Sequence, residues 1–202
     1  MSPAKTAPDR RIVRTREALR GALVALILEK GYEAIAVNDI VKRANVARST
    51  FYAHHGSKES VLLDGVGTLR EFLAKAQREA SGEALEPMDP LGFSLALFEH
   101  ADSHRDLYRA LMGDGGGTVM IQAFRQMFDR LIRRGLVEAA DRPRKSAAVP
   151  LEAIVRFTTD ALMAVLTWWV EAKPRLAAAE GNRIFRQLIE PALRANGHSV
   201  GR

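Results

Sequence analysis

Side chains that can bond to an anion or to the edge of a nucleobase are concentrated in one short stretch, residues 48–58. They are Arg48, Ser49, Thr50, Tyr52, His54 and Lys58. Arginine and lysine pair with phosphate, and arginine can also bind O6 and N7 of guanine through two hydrogen bonds. A helix that merely faces water would more typically carry glutamate and lysine. The composition therefore favours contact with a polyanion.

A second chemical candidate is His100 with His104, whose i, i+4 spacing can chelate a metal ion on a helix. Only Asp102 and Asp106 are close enough in sequence to complete such a site, so we expect no metal and no cofactor. The chain also lacks cysteine, a Gly-x-Ser-x-Gly turn and a phosphate-binding loop. Residues Gly115–Gly117 have no Lys-Ser/Thr after them and are expected to be a linker. These absences predict a protein that is not an enzyme.

The elements that carry the polar stretch are helical by periodicity. The pattern predicts helices at about 14–30, 37–44, 48–54, 57–79, 91–101, 103–112, 118–134, 150–172 and 182–194, with no strand. The breaks at 81–90 and 140–150 are rich in glycine, proline or charge. Two short helices around the turn Asn45-Val46 form a helix-turn-helix unit, whose second helix enters the major groove of duplex DNA.

Composition and charge agree with that expectation. Residues 1–60 carry 11 Lys and Arg against 6 Asp and Glu. The remainder of the chain is almost neutral, so most of the net charge of +6 of the whole chain lies in this N-terminal part. Hydrophobic residues make up 47%, enough for a core. The polar N-terminus has no apolar signal segment, and the longest uncharged run, 161–170, is half the length of a membrane span. We expect a cytoplasmic protein with no membrane partner.

The last two predicted helices indicate a homodimer. The segment 161–170 has no charged residue on any face, and a helix that is apolar all round is buried all round. One face would meet the domain core and another a second copy, giving a four-helix interface. The residues assigned to this interface are Leu162, Val165, Trp169, Ile184 and Leu188. A purely intramolecular core is the alternative.

Residues 14–63 resemble the N-terminal domain of the TetR family of regulators. The similarity rests on Lys30-Gly31-Tyr32, Val37-Asn38-Asp39-Ile40, Ala44-Asn45-Val46, Ser49-Thr50-Phe51-Tyr52-Ala53-His54 and Ser57-Lys58-Glu59. It implies an all-α fold of about nine helices, with a helix-turn-helix DNA-binding domain at 11–63 and a helical effector-binding and dimerisation domain at 64–202. By the same resemblance, Tyr52, His54 and Lys58 hold phosphates. Arg48, Ser49, Thr50 and Asn38 reach base edges or nearby phosphates.

Three departures from the family pattern concern local structure. Asn45 stands where the family usually has glycine, and asparagine tolerates a positive φ, so we expect the turn to persist. Ala36 and Ala47 replace the usual threonine and serine N-caps, each at a cost of about 1 kcal/mol. His55 replaces a phenylalanine, and we expect a packed side chain rather than a pH-responsive one.

The resemblance also implies a small-molecule pocket in the C-terminal domain and control of DNA binding by its ligand. The expected ligand is mostly apolar or aromatic. The residues assigned to this pocket are Phe98, His104, Tyr108, Met112, Phe124, Met127, Thr167 and Trp168. The function predicted is that of a repressor that binds a palindromic operator as a dimer and is released by this ligand. Control by a protein partner, activation, and architectural DNA binding without an effector are the alternatives.

Overall fold

The structure is a computed structural model that describes residues 10–80, 89–112, 117–139 and 149–198. Within these ranges the backbone forms nine helices and no strand. They are α1 (Arg10–Lys30), α2 (Val37–Arg43), α3 (Arg48–His54), α4 (Lys58–Glu79), α5 (Ser94–Ser103), α6 (Arg105–Met112), α7 (Thr118–Glu138), α8 (Leu151–Glu171) and α9 (Ala178–Ala195). The predicted all-helical fold is confirmed. Most of the predicted breaks fall at 81–88, 113–116 and 140–148, outside the described residues.

Helix α1 buries one apolar stripe and ends where the sequence places a glycine. The buried side chains are Leu19, Ala22, Leu23, Leu26 and Ile27. The N–H of Gly31 donates to the carbonyl oxygen of Ile27 at 2.9 Å, and Gly31 has a φ of 74°, the left-handed conformation that commonly follows a helix. Helices α2, α3, α4 and α6 all pack on α1.

Helix α4 joins the N-terminal helices to the remainder of the chain. The Ser57 hydroxyl accepts from the N–H of Ser60 and caps its first turn. The helix runs without a break through the domain boundary expected after residue 63, and it packs on both α1 and α7. Near its other end the buried Gln77 donates to the carbonyl oxygen of Leu131 on α7. The division at residue 63 therefore stays a prediction.

Helix α8 is the centre of the C-terminal part and packs on α6, α7 and α9. By length and composition α8 could cross a membrane, but 56% of its most apolar window is buried inside the fold. The guanidinium groups of Arg105 and Arg109 donate to the carbonyl oxygens of Trp169 and Val170 in its last turn. These bonds satisfy terminal carbonyls of α8 and attach α6 to it.

Candidate nucleic-acid interface and neighbouring cavity

The turn between α2 and α3 joins two short helices that pack against each other, as expected of a helix-turn-helix. Asn45 has a φ of 51°, so the expected positive φ is confirmed. The N–H of Val46 then donates to the carbonyl oxygen of Val41 at 3.1 Å. The Phe51 ring lies completely buried under α3 and leaves the opposite face of that helix to solvent. We refer to α1, α2 and α3 together as the reading head.

Three of the predicted DNA-binding residues form one polar surface across α2 and α3. Asn38, Arg48 and Tyr52 are exposed. The Arg48 guanidinium donates to Asn38 Oδ1 at 3.2 Å and to the Tyr52 hydroxyl at 3.4 Å, and it lies 5.6 Å from the centre of the Tyr52 ring. Ser49 beside them is exposed, whereas Thr50 is half-buried. The arrangement presents a hydrogen-bonding guanidinium at the solvent face of the second helix.

The other two predicted DNA-binding residues lie at the edge of this surface. His54 ends α3 and is half-buried. The Lys58 ammonium donates to the main-chain carbonyls of Tyr32 and Glu33, and it lies 4.4 Å from the centre of the Tyr32 ring. Two of its three N–H donors are thus directed to the loop after α1.

His55 follows the last residue of α3 and points into the reading head. The residue is 5% exposed, and its ring centre lies 6.1 Å from that of Phe51. Burial lowers the pKa of His55 below its usual value, with a smaller opposing effect from the carboxylate of Asp64. The expectation of a packed histidine is confirmed.

A cavity of about 610 Å³ lies between the reading head and the C-terminal helices. Helices α1, α4, α6 and α7 supply most of its walls, and His100 of α5 and His104 complete them. Of the eight residues assigned to a ligand pocket from sequence, His104, Tyr108 and Phe124 line it. The volume is within the range of small-molecule sites.

The remaining five assigned residues lie elsewhere. Phe98, Met112 and Met127 are buried outside the cavity lining, and Phe98 packs edge-on against Trp169 of α8. Thr167 and Trp168 are on α8, which contributes nothing to this cavity, and Trp168 is 49% exposed. The walls formed by α1 and α4 were not predicted from the sequence. Two mid-helix glycines, Gly21 and Gly65, were the available signal.

One end of the cavity carries a stack of polar rings. The rings of His100 and His104 lie 4.5 Å apart, His100 Nδ1 is 3.0 Å from the Tyr108 hydroxyl, and His104 Nδ1 is 2.9 Å from the His100 carbonyl oxygen. Burial, with a smaller contribution from His104, lowers the pKa of His100 to about 4, and burial raises the pKa of Tyr108. Among the described residues no group of three or more potential ligands could hold a metal ion.

Three of the five residues predicted for a subunit interface are buried within this chain. Leu162, Val165 and Trp169 are at most 8% exposed inside this chain, so their side chains have little or no surface to offer a partner. Helix α8 instead exposes Phe157 and Trp168. The sequence could not distinguish these faces because every face of this segment is apolar.

On α9 the two assigned residues do reach the surface. Ile184 is half-buried and Leu188 is 61% exposed. With the exposed side chains of α8, they make up an apolar face that we call the α8–α9 face, formed by Phe157, Ala161, Ala164, Trp168, Ile184 and Leu188.

Two family profiles match the chain. Residues 19–64 match bacterial regulatory proteins of the tetR family, and residues 89–191 match a transcriptional regulator C-terminal region. The chain belongs to the TetR family. It is a DNA-binding transcriptional regulator of that family, and residues 37–54 form its helix-turn-helix.

Some TetR-family proteins match only a part of this chain, and others match most of it. An uncharacterised regulator of Bacillus subtilis, YxbF, is 47% identical over 55 residues, which cover 27% of this chain and 14% of that protein. The chain thus matches much less than two thirds of the length of that relative. The repressor KstR of Rhodococcus jostii is 24% identical over 161 residues, covering 77% of this chain and 72% of KstR.

A solved structure has the same fold. FadR of Thermus thermophilus, a TetR-family repressor in complex with lauroyl-CoA, superposes with a TM-score of 0.59 at 22% identity. The superposition covers 87% of this chain and 93% of FadR.

Proposed function

We propose that this TetR-family regulator is a repressor that binds a palindromic operator as a homodimer and leaves it when a small molecule binds. The observation that carries the proposal is the polar surface formed by Asn38, Arg48 and Tyr52 on the solvent face of the helix-turn-helix. The protein would act in the cytoplasm as a regulator without catalytic activity.

Arg48 is the residue best placed to read a base. Its guanidinium is exposed at the first turn of α3, and the part of a recognition helix that meets base edges is its N-terminal part. Within the described residues it has no carboxylate partner, so its charge is available to guanine or phosphate. The hydrogen bonds that it donates to Asn38 Oδ1 and to the Tyr52 hydroxyl restrain its orientation at the surface.

Tyr52, His54 and Lys58 would hold the DNA backbone on either side of the bases. A phosphate at Lys58 would also meet the first turn of α4, where free N–H groups and the helix dipole favour an anion. The bonds of Lys58 to two carbonyls keep its ammonium beside this helix end in the absence of DNA. Contacts of this kind fix position but carry no sequence information.

A dimer follows from the α8–α9 face. Phe157, Trp168 and Leu188 are each about half-exposed, which is unusual for large apolar side chains grouped on two adjacent helices. Pairing the face with itself would bury it about a two-fold axis and place two reading heads side by side. Two symmetric heads require two inverted half-sites, hence a palindromic operator.

Repression and release by a ligand are supported by likeness and by the cavity. KstR is a repressor, and FadR has this fold and is bound to lauroyl-CoA. The cavity of this chain lies against the reading head, so occupancy and head position are physically connected. A ligand weakens DNA binding only as far as it prefers the conformation that does not fit the operator.

Selection of bound duplexes from a random DNA pool tests the proposal. We expect an inverted repeat with half-site centres about one turn, ~34–36 Å, apart or a multiple of that. On the selected site Arg48→Ala should lose about 1–3 kcal/mol and relax the preference at one base pair of each half-site. Lys58→Ala should weaken specific and random duplexes equally and reduce the salt dependence. Recovery of no repeat, or equal losses of Arg48→Ala on both duplexes, would contradict base reading by this surface.

A further inference from the structure

The cavity has a wall that belongs to the reading head itself. Helix α1, which packs directly on α2 and α3, contributes six of the lining residues, among them Leu23 and Ile27. Helix α6 faces it across the cavity, and α1 and α6 are in contact beside it. A molecule in this space would therefore touch the DNA-binding part of the chain and not only the C-terminal helices.

Two glycines leave this space open at a cost to the helices that carry them. Gly21 in α1 and Gly65 in α4 line the cavity and are within helices, where glycine is about 1 kcal/mol less favourable than alanine. Neither has a positive φ. A Cβ at Gly21 would meet nothing within 4 Å, and one at Gly65 would only reach Arg20 Cδ at 4.0 Å. Neither backbone conformation nor close packing calls for glycine here, and the absence of a side chain at both positions leaves room in the cavity.

The polar end of the cavity offers a hydrogen-bond acceptor. A carbonyl oxygen only accepts, so His104 Nδ1, at 2.9 Å from the carbonyl of His100, carries the ring proton. When the ring carries only this proton, its other nitrogen, Nε2, is a hydrogen-bond acceptor. A ligand that meets His104 must donate an O–H or N–H.

The cavity offers no free buried charge to an ionic ligand. The one arginine among its lining residues, Arg20, donates to Asp64 at 3.2 Å and to the Thr68 hydroxyl at 2.7 Å. His100 and Tyr108 are both neutral at pH 7, because burial disfavours their charged forms. A carboxylate would lose its hydration there without an unpaired partner of opposite charge. The one acidic lining residue, Glu17, is exposed to solvent, and an exposed ion pair would offset little of the hydration that an ammonium loses.

We propose that the cavity between α1, α4 and α6 binds an uncharged, mostly apolar molecule that carries one hydroxyl group, which donates to His104 Nε2. The proposal rests on the function proposed above and gives its effector a site and a chemical class. The remaining wall is aliphatic and aromatic, with Leu107, Leu111 and Phe124 beside the α1 side chains.

The same site explains how occupancy reaches the DNA. Arg105 and Arg109 attach α6 to the end of α8, so α6 is fixed to the C-terminal core. The Arg20–Asp64 ion pair attaches α1 to α4. A molecule that fills the space between α1 and α6 displaces the reading head together with the N-terminal turns of α4, away from the spacing that fits the operator, while the other end of α4 stays bound to α7 through Gln77.

Three probe molecules that share the same octylphenyl tail and differ in one polar group test the proposed chemical class of the ligand. We would measure binding of 4-octylphenol, 4-octylanisole and 4-octylbenzoate to the full-length protein at pH 8 by calorimetry. The phenol is expected to bind roughly three- to tenfold tighter than the ether, the value of one neutral hydrogen bond, and the benzoate weakest. His104→Leu should abolish the preference for the phenol over the ether, and His104→Gln, which keeps an acceptor, should retain it. Equal affinities of phenol and ether in the unmodified protein would overturn the hydroxyl assignment.

A substitution that fills the cavity with a larger side chain tests whether the ligand binds there. Gly65→Leu should reduce binding of 4-octylphenol at least tenfold, whereas Gly67→Leu should leave it unchanged. Gly67 is on the same helix, is not among the lining residues and has nothing within 4 Å of a Cβ, so it controls for helix propensity and folding. Unchanged binding to a folded Gly65→Leu protein would overturn the site.

Operator release is measured separately, on the DNA selected as above. Addition of 4-octylphenol is expected to release the unmodified protein and Gly67→Leu but not Gly65→Leu. Binding of the phenol without release of DNA would overturn the coupling through α1. A different outcome would be that no operator is selected, although 4-octylphenol binds the unmodified protein and does not bind Gly65→Leu. That result would overturn the proposed function but would support the ligand site.

Discussion

His100 shows how strongly the environment of one residue can differ from what its side chain suggests. The ring is stacked on His104, hydrogen-bonded to Tyr108 and 5.9 Å from the ring of Phe72. Burial and the neighbouring imidazole lower its pKa to about 4. In this i, i+4 histidine pair both Nδ1 atoms are used in internal hydrogen bonds. The pair belongs to a polar cluster at the cavity.

The pKa of His100 makes stability dependent on pH. In the unfolded chain histidine titrates near its usual value of about 6.5, above the folded value, so the unfolded state binds the proton first. The contribution of His100 to the free energy of unfolding is complete above pH 6.5 and is lost as the pH falls towards 4. Between pH 8 and pH 5 we expect the unmodified protein to lose about 1–2 kcal/mol more unfolding free energy than His100→Gln, because partial exposure reduces the full effect.

Chemical denaturation at the two pH values measures this difference. His55, whose pKa is also lowered, is present in both proteins, so its contribution cancels. Identical losses in the two proteins would show that His100 is protonated freely in the folded state.

At the scale of the element, the helix-turn-helix is built with incomplete caps. Ala36 and Ala47 precede α2 and α3 in extended conformation, and neither has a side chain that can accept a hydrogen bond. One half of a capping box survives, since Asp39 Oδ2 accepts from the N–H of Ala36 at 2.9 Å. The short helices depend instead on packing through Ile40, Val41 and Phe51.

Restoring a cap should stabilise the protein. Ala36→Ser and Ala47→Ser are each expected to add about 1 kcal/mol, because a serine hydroxyl can accept an orphan N–H of the first turn. In a chain of this size that gain raises Tm by roughly 2–4 °C. Ala53→Ser, at an exposed position inside α3, is the control and should give no increase. A gain in the control equal to that of the caps would rule out capping as the cause.

At the scale of the whole molecule, the exposed apolar side chains are not spread evenly. Among the large apolar side chains in the described ranges, Leu188, Phe157 and Val137 are the three most exposed, and the first two share the α8–α9 face with Trp168. The same α8 that supplies this face also supplies Leu162, Leu166 and Trp169 to the core. One helix thus serves the interior on one side and the proposed partner on the other.

Charging the α8–α9 face should separate the subunits. Leu188→Glu is expected to convert the dimer to a monomer in sedimentation at micromolar concentration and to abolish operator binding, because each head alone holds only one half-site. Helical content by circular dichroism should be unchanged, since the side chain is 61% exposed. Leu95→Glu, at another exposed leucine near the start of α5, should leave the dimer intact. A monomeric unmodified protein would contradict the assembly itself.

The features that follow from the sequence alone are local. The stripe of α1 follows from the spacing of its apolar residues, and the turns at Gly31 and Asn45 follow from backbone conformation; the positive φ predicted for Asn45 is present. These features depend on residues within one or two helical turns of each other, so periodicity and φ preference are sufficient to identify them.

Only the tertiary structure decided which helices enclose the cavity and which face of α8 is free. Arg20 and Tyr108 are far apart in the chain and meet at one site only because α1 packs on α6. Periodicity reports the faces of a single helix and not its neighbours. In a uniformly apolar segment such as 161–170 it does not distinguish the buried Trp169 from the exposed Trp168, because packing alone sets that difference.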